Sequence, residues 1–167
     1  IFAAMMAELG FPVPRPLGFP VPRPLGFVHP TRSSFIARDL RDKEALLDFL
    51  RELDGPVFGK PVDSRWSLGT ASLDGYQPDD DCVTLLGGEE IGADVFADQV
   101  MGFANKGYLF QERLVPHPEI ARLAGPAIGT VRLLTGNLAG KRELLDCVWK
   151  FVAGGNVANN FWRDGNM

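Results

Sequence analysis

Val57-Phe58-Gly59-Lys60-Pro61 is followed by a polar run over residues 63–69, Asp-Ser-Arg-Trp-Ser-Leu-Gly, and then by Thr70-Ala71-Ser72-Leu73. Two short stretches rich in strand formers, separated by Ser, Arg and Gly, read as a pair of strands joined by a polar loop. Lys60 stands near the end of the first strand. An ammonium placed there can face phosphate oxygens while the N–H groups of the loop cover them. From these residues alone the better reading is an edge lysine on a plain hairpin.

Upstream, Asp42 has the position of a helix cap, and Glu44 lies in the first turn, where the helix dipole favours it. Leu46, Leu47, Phe49, Leu50 and Leu53 recur at helical spacing, and Asp54-Gly55-Pro56 ends the run. Downstream, turn residues at Asp74-Gly75 and Pro78 to Asp81 lead to a strand over Cys82 to Leu86. A third helix is expected over Ala93 to Asn105, with Val95, Phe96, Val100, Met101 and Phe103 available for packing. Tyr108 to Arg113 reads as a strand, and a short helix is expected over Pro118 to Leu123. Thr130 to Thr135 and Leu144 to Val152, rich in Val, Leu, Trp and Phe, read as further strands. Helix, hairpin, helix and then several strands make an α+β chain rather than a βαβ alternation.

At the N-terminal end, Phe2 to Leu9 suits a helix stopped by Gly10. Gly10 to Leu17 and Gly18 to Leu25 then carry the same octapeptide, GFPVPRPL. Its alternate prolines argue against helix and central strand, so an extended, polyproline-like connector is expected. Two copies are too few for a solenoid, and the pair reads as a tandem duplication of one connecting segment. A Pro-rich ligand for a partner domain is the other reading.

The 167 residues are 46% apolar and 23% charged, enough for a globular core. The net charge of −4 argues against nucleic acid, which rewards clustered Lys and Arg. No apolar run approaches the roughly 18 residues of a membrane span. The apolar opening Ile1 to Ala7 lacks a basic leader and meets Glu8, which makes it a poor signal peptide. Cys82 and Cys147 are far apart and read as buried thiols in a reducing, cytoplasmic compartment. The chain opens on Ile1 and closes on Asp164-Gly165-Asn166-Met167, and it reads as an internal piece of a longer protein.

Gly136 to Arg142 has the wrong spacing for a P-loop, and no glycine fingerprint of a dinucleotide fold follows a strand. His29 and His117 lack metal-site spacing, and no serine sits in a nucleophile elbow. Cys147, inside an apolar strand, reads as core rather than nucleophile. Two clusters join the Lys60 hairpin. In Leu109-Phe110-Gln111-Glu112-Arg113-Leu114-Val115-Pro116-His117-Pro118, an apolar strand runs into groups able to meet an adenine edge and ribose hydroxyls, or simply into an exposed strand end. In Thr130-Val131-Arg132-Leu133-Leu134-Thr135, Arg132 lies between apolar neighbours. An arginine buried there requires a partner, an internal carboxylate or a bound phosphate, because an unpaired buried charge is costly.

Together these clusters resemble the ATP-grasp superfamily, in particular its sugar-transfer-associated and glutamate-ligase-like branches. The likeness is most specific over QERLVPHPEI at 111–120 and GTVRLLT at 129–135. It extends over FGKP at 58–61, SLGTASL at 67–73 and the opening helix with GFPVPRPLG, while Asn159-Asn160-Phe161 looks like the family's Asn-containing turn. The second octapeptide is extra to that pattern.

The resemblance implies two small lobes with antiparallel sheets and flanking helices, incomplete at both ends, with ATP between them. It divides the chain into an N-terminal helix and connector (1–35), a small lobe with a phosphate lid (36–113) and the start of a C-terminal lobe (114–167). It further implies that Lys60 meets the α- and β-phosphates and that Ser67, Leu68, Gly69 and Thr70 form a flexible lid. Gln111, Glu112, Arg113 and Leu114 would line adenine and ribose, with Glu112 the ribose ligand. Arg132 would stabilise the transferred phosphoryl group and the acyl-phosphate, and Asn160 would assist near the phosphates. The implied function is ATP-dependent joining of a carboxylate to an amine or hydroxyl, associated with cell-surface polysaccharide synthesis.

The family's Mg²⁺ carboxylates, an Asp strand and a Glu-x-Asn turn, have no counterpart here and are expected downstream of Met167. A lysine expected before the first helix is also missing. The piece alone is therefore expected to be inactive. A non-catalytic nucleotide-binding or interaction module fits the same departures.

Overall fold

The computed structural model describes residues 22–65, 67–152 and 157. The helix expected over Phe2 to Leu9, the first octapeptide and the Asn159-Asn160-Phe161 turn lie outside the described residues. The chain divides into two compact units, Ile1–Leu114 and Val115–Met167.

The first unit is built on seven strands: β1 (Pro24–Val28), β2 (Arg38–Leu40), β3 (Val57–Pro61), β4 (Ala71–Gln77), β5 (Cys82–Leu85), β6 (Glu90–Gly92) and β7 (Tyr108–Glu112). They form one sheet in the order β2-β1-β7-β3-β4-β5-β6. Only the β1–β2 pair is parallel; every other pairing is antiparallel. Helices α1 (Lys43–Arg51) and α2 (Ala93–Met101) accompany the sheet, with a 3₁₀ turn at Ala104–Lys106 where the sequence predicts one continuous helix to Asn105.

Asp42 caps α1: its carboxylate accepts the Ala45 N–H at 2.9 Å, and Glu44 and Arg51 complement the helix dipole at opposite ends. Leu46, Phe49 and Leu50 are buried at helical spacing, and the Phe49 ring meets Phe110 of β7 at 5.2 Å between centroids. On α2, Phe96 and Val100 are buried but Val95 is exposed, since the 3.6-residue period turns it away from both. Each of the large apolar side chains buried here contributes about 1.5–3 kcal/mol.

In β3 burial alternates: Val57, Gly59 and Pro61 are buried, Phe58 and Lys60 half-buried. Cross-strand partners extend that alternation over the sheet, because residues directly opposite point to the same side. Val57, Gly59 and Pro61 face Glu112, Phe110 and Tyr108, and the Phe49–Phe110 contact marks this as the helix side. Phe58 and Lys60 face Gln111 and Leu109, and Phe27 joins them by its pairing with Leu109.

Pro24 begins an interior strand, where the proline-rich repeat was expected to stay out of the sheet. The period of the prolines explains it. Arg23 O accepts the Glu112 N–H at 2.9 Å, so the odd-numbered residue of the repeat turns its polar groups to β7. Pro24, one residue on, turns its missing donor to the opposite edge, where β2 begins only opposite Gly26. A register shift between Pro24 and Gly26 then lets β1 continue along β7. Arg23 also ties the strand by charge: its Nε donates to Glu112 Oε1 at 2.8 Å and its N–H to Oε2 at 3.2 Å.

The second unit contains α3 (Pro118–Ala124) and a hairpin of β8 (Thr130–Leu138) and β9 (Lys141–Lys150). Ala139 and Gly140 both have positive φ, 52° and 82°, the requirement of a two-residue type I′ turn. That tight turn starts β9 at Lys141 rather than at Leu144. Arg132 and Cys147, expected to be buried, are both exposed, as are Val131, Leu133, Leu134, Leu144 and Leu145. Apolar composition made β8 and β9 strands, but two strands alone have no second layer to bury against. Among the described residues no helix is long and apolar enough to cross a membrane.

Three outcomes are expected. A Cβ on Gly59 would lie 2.7 Å from the Tyr108 ring and 3.0 Å from that of Phe110, so Gly59→Ala should cost about 1–3 kcal/mol in urea unfolding. Deleting Gly18 to Leu25 places an identical octapeptide directly before Gly26, and the thermal midpoint should be nearly unchanged; loss of cooperative unfolding would show that both copies are needed. Hydrogen bonds from Arg23 hold the Glu112 carboxyl below its ordinary range. The stabilisation from this exposed pair is therefore present above the unfolded Glu pKa and lost as pH falls through the folded value. The urea midpoint of Arg23→Ala should show a small but measurably weaker dependence on acid than that of the parent chain.

Candidate functional site

Lys60 sits one residue from the end of β3, held there by pairing with Leu109 in a strand that alternates about the core. It shares the face away from the helices with Phe58, Gln111, Leu109 and Ser72. Among the described residues, none forms an ion pair or hydrogen bond with the Lys60 ammonium. A half-buried cation beside apolar Phe58 and Leu109 is a ready position for an anionic ligand.

The Ser67–Thr70 segment is a compact turn. Thr70 N–H donates to Ser67 O at 3.2 Å, and Thr70 Oγ1 donates to the same oxygen at 2.8 Å. Ser64 Oγ donates to Leu68 O at 2.7 Å. Ser67 and Gly69 take positive φ, 58° and 75°, and such left-handed residues orient loop N–H groups into anion-binding concavities. Gly69 lies against Phe103, where a Cβ would come within 2.5 Å of the ring, so only glycine fits at this point.

The structure separates the four residues of the 111–114 segment. Gln111 lies on the Lys60 face, half-buried. Glu112 is on the opposite face, level with Val57, and both its oxygens are engaged by Arg23. Arg113 is a clamp on β4: its Nη1 donates to Asp74 Oδ1 at 2.6 Å and to Ser72 Oγ and Leu73 O at 3.3 Å. It thereby holds the register shift between Leu73 and Gly75. The N–H groups of Glu112 and Arg113 are committed to Arg23 O and Pro56 O. Leu114 is the first residue of the segment whose backbone groups have no partner among the described residues.

Arg132 belongs to the second unit, opposite Val148 on the β8–β9 hairpin. Exposed, it has no need of the buried counter-charge expected of it. Asn160 lies outside the described residues. His29, without metal spacing in the sequence, is one of two buried polar residues among the described residues, the other being Ser72. The only sequence signal for either was a polar residue at an inward position of a strand or its end.

A cavity of about 470 Å³ opens on the helix side of the same sheet, where Arg23, Arg38, Glu52 and Glu112 rim an apolar floor of Leu25 and Phe49. Its arginines are spent on carboxylates, Arg23 on Glu112 at 2.8 Å, Arg38 on Glu52 at 2.6 Å and Arg113 on Asp74 at 2.6 Å, so the Lys60 face is the better anion site. Among the described residues, no three His, Cys, Asp or Glu side chains gather to hold a metal ion. Compared with protein-family models, curated proteins and solved structures, the chain matches none.

Proposed function

We propose that this chain is the ATP-binding part of an ATP-dependent ligase, one that joins a carboxylate to an amine or a hydroxyl through an acyl-phosphate. Lys60 carries the reading: a half-buried ammonium without a protein partner among the described residues, on one face with Gln111 and Phe58. The strand that bears it leads into the Ser67–Thr70 turn.

In this reading the ammonium meets the α- and β-phosphate oxygens, and the Ser67 and Gly69 N–H groups of the turn cover them, those of Leu68 and Thr70 being bonded to Arg65 O and Ser67 O. Phe58, half-buried, offers apolar contact to the base, and Leu114, whose backbone groups have no partner among the described residues, offers the adenine edge its hydrogen bonds. Glu112 is already paired with Arg23, so its role toward ribose requires sharing or release of that ion pair. Arg132 keeps its assignment to the transferred phosphoryl group through the resemblance alone, as does the link to cell-surface polysaccharide synthesis. In this reading the Mg²⁺ carboxylates lie downstream of Met167, and the tasks of the described residues are binding and orienting the nucleotide.

The test is a titration of the 167-residue chain with ATP, followed by backbone NMR shifts. Weak binding, little changed by Mg²⁺, should perturb Phe58, Lys60, Gln111 and Leu114. Lys60→Ala should weaken it by about tenfold, the value of one charge-assisted contact. Unperturbed shifts at those residues, or equal binding by Lys60→Ala, would overturn the assignment.

A further inference from the structure

His29 is 5% exposed and follows β1 directly. Its N–H donates to Leu40 O at 3.2 Å, so the chain is still in step with β2 at this point. Its ring stacks on Phe27, with centroids 6.0 Å apart and planes 15° apart, the spacing of two side chains on the same side of an extended strand. Phe27 faces Leu109, and Leu109 faces Lys60. His29 therefore belongs to the sheet face that carries Lys60 and Gln111.

Two hydrogen bonds fix the ring. Nδ1 accepts the N–H of Thr31 at 3.1 Å and that of Arg32 at 2.8 Å. A nitrogen that accepts carries no proton, so the proton is on Nε2. Nε2 is buried and has no partner, the one such side-chain atom among the described residues. A buried donor left without an acceptor destabilises the protein that carries it. The ring cannot turn to find an acceptor without surrendering both bonds at Nδ1 and the stack on Phe27.

We infer that His29 Nε2–H is a preoriented donor to an anionic oxygen, phosphate or carboxylate, of the ligand that Lys60 holds. The inference rests on the nucleotide reading of the Lys60 face. The chemistry follows from the neighbours: on a face with one ammonium, one amide and aromatic rings, the matching ligand brings acceptor oxygens and negative charge. Two strand spacings and a two-residue step separate His29 from Lys60, roughly 12 Å between α-carbons. The two groups would thus grip different oxygens of one extended anion rather than the same one. The desolvated donor carries a cost in the free protein and is satisfied only when the ligand arrives.

The imidazole ¹H–¹⁵N spectrum of the whole chain reads this directly, since His29 and His117 are the only histidines. His29→Asn assigns the signal. Asn presents Oδ1 to the Thr31 and Arg32 N–H groups in place of Nδ1 and has nothing at the Nε2 position. Titration with ATP should move the His29 Nε2–H signal downfield and slow its exchange with water, and His29→Asn should bind ATP about tenfold more weakly. Inorganic tripolyphosphate producing the same shift would identify a phosphate oxygen. A shift with ATP and none with bound tripolyphosphate would place the acceptor on the base or ribose and overturn the anionic-oxygen assignment.

If ATP leaves the Nε2–H signal unmoved and His29→Asn binds as the parent does, while Lys60→Ala loses affinity, the donor serves a structural water. The inference then fails and the nucleotide reading stands. Absence of ATP binding by the parent chain removes both. Should His29→Asn fail to fold, the signal in the parent chain still decides.

Discussion

Pairing on both edges of β7 is the constraint from which the rest of the first unit follows. Tyr108, Leu109 and Phe110 are buried one after another, which a strand achieves only when both its faces are covered. Their backbone groups are shared between β1 and β3. Phe110 and Tyr108 set the helix side, where the rings of Phe49 and Phe103 meet them, and burial pushes the Tyr108 phenol well above its ordinary pKa. Leu109 sets the other side, and by its two partners it fixes the row Phe27, Leu109, Lys60. The position of Lys60 on its face is thus a consequence of register, and a one-residue slip would turn it toward the helices.

The loop between β1 and β2 closes by a different principle. It joins parallel strands in few residues, with side chains standing in for regular secondary structure. Ser34 Oγ accepts the N–H groups of Ile36 and Ala37, Asp39 accepts that of Ser34, and Arg41 reaches Arg32 O and Asp39. The Ser34 N–H, foremost, and the nearby Ser33 and Arg41 groups hold the Asp39 carboxyl below its ordinary range. With His29 accepting from Thr31 and Arg32, nearly every turn of the loop is tied by a polar side chain.

Much of this was legible in sequence where a single physical rule governs. The Asp42 cap, the apolar spacing of α1 and the strand at 57–61 are local, and the residues carry them. The three-residue strands β2 and β6, Arg38-Asp39-Leu40 and Glu90-Ile91-Gly92, were not legible, because neither has an apolar run and both owe their conformation to the strand beside them. Arg132 and Cys147 show the opposite error. Apolar neighbours predict a strand but not a cover, and burial belongs to whatever packs on the strand. For Glu112 and Arg113 the information was present, since a period of two already places Gln111 and Glu112 on opposite faces. Treating 111–114 as one lining overlooked it.

The octapeptide has a chemical asymmetry that outlasts its role in β1. With proline at every second position, one edge of an extended GFPVPRPL keeps all its donors and the other has almost none. Such a segment zips onto a sheet from one side and presents a dead edge to anything approaching from the other. Edge strands ordinarily risk recruiting neighbouring chains into runaway cross-β stacks. An extended segment of ordinary composition would double that hazard when duplicated; with proline at every second position, an extended copy of this octapeptide has one edge that can recruit a neighbour rather than two.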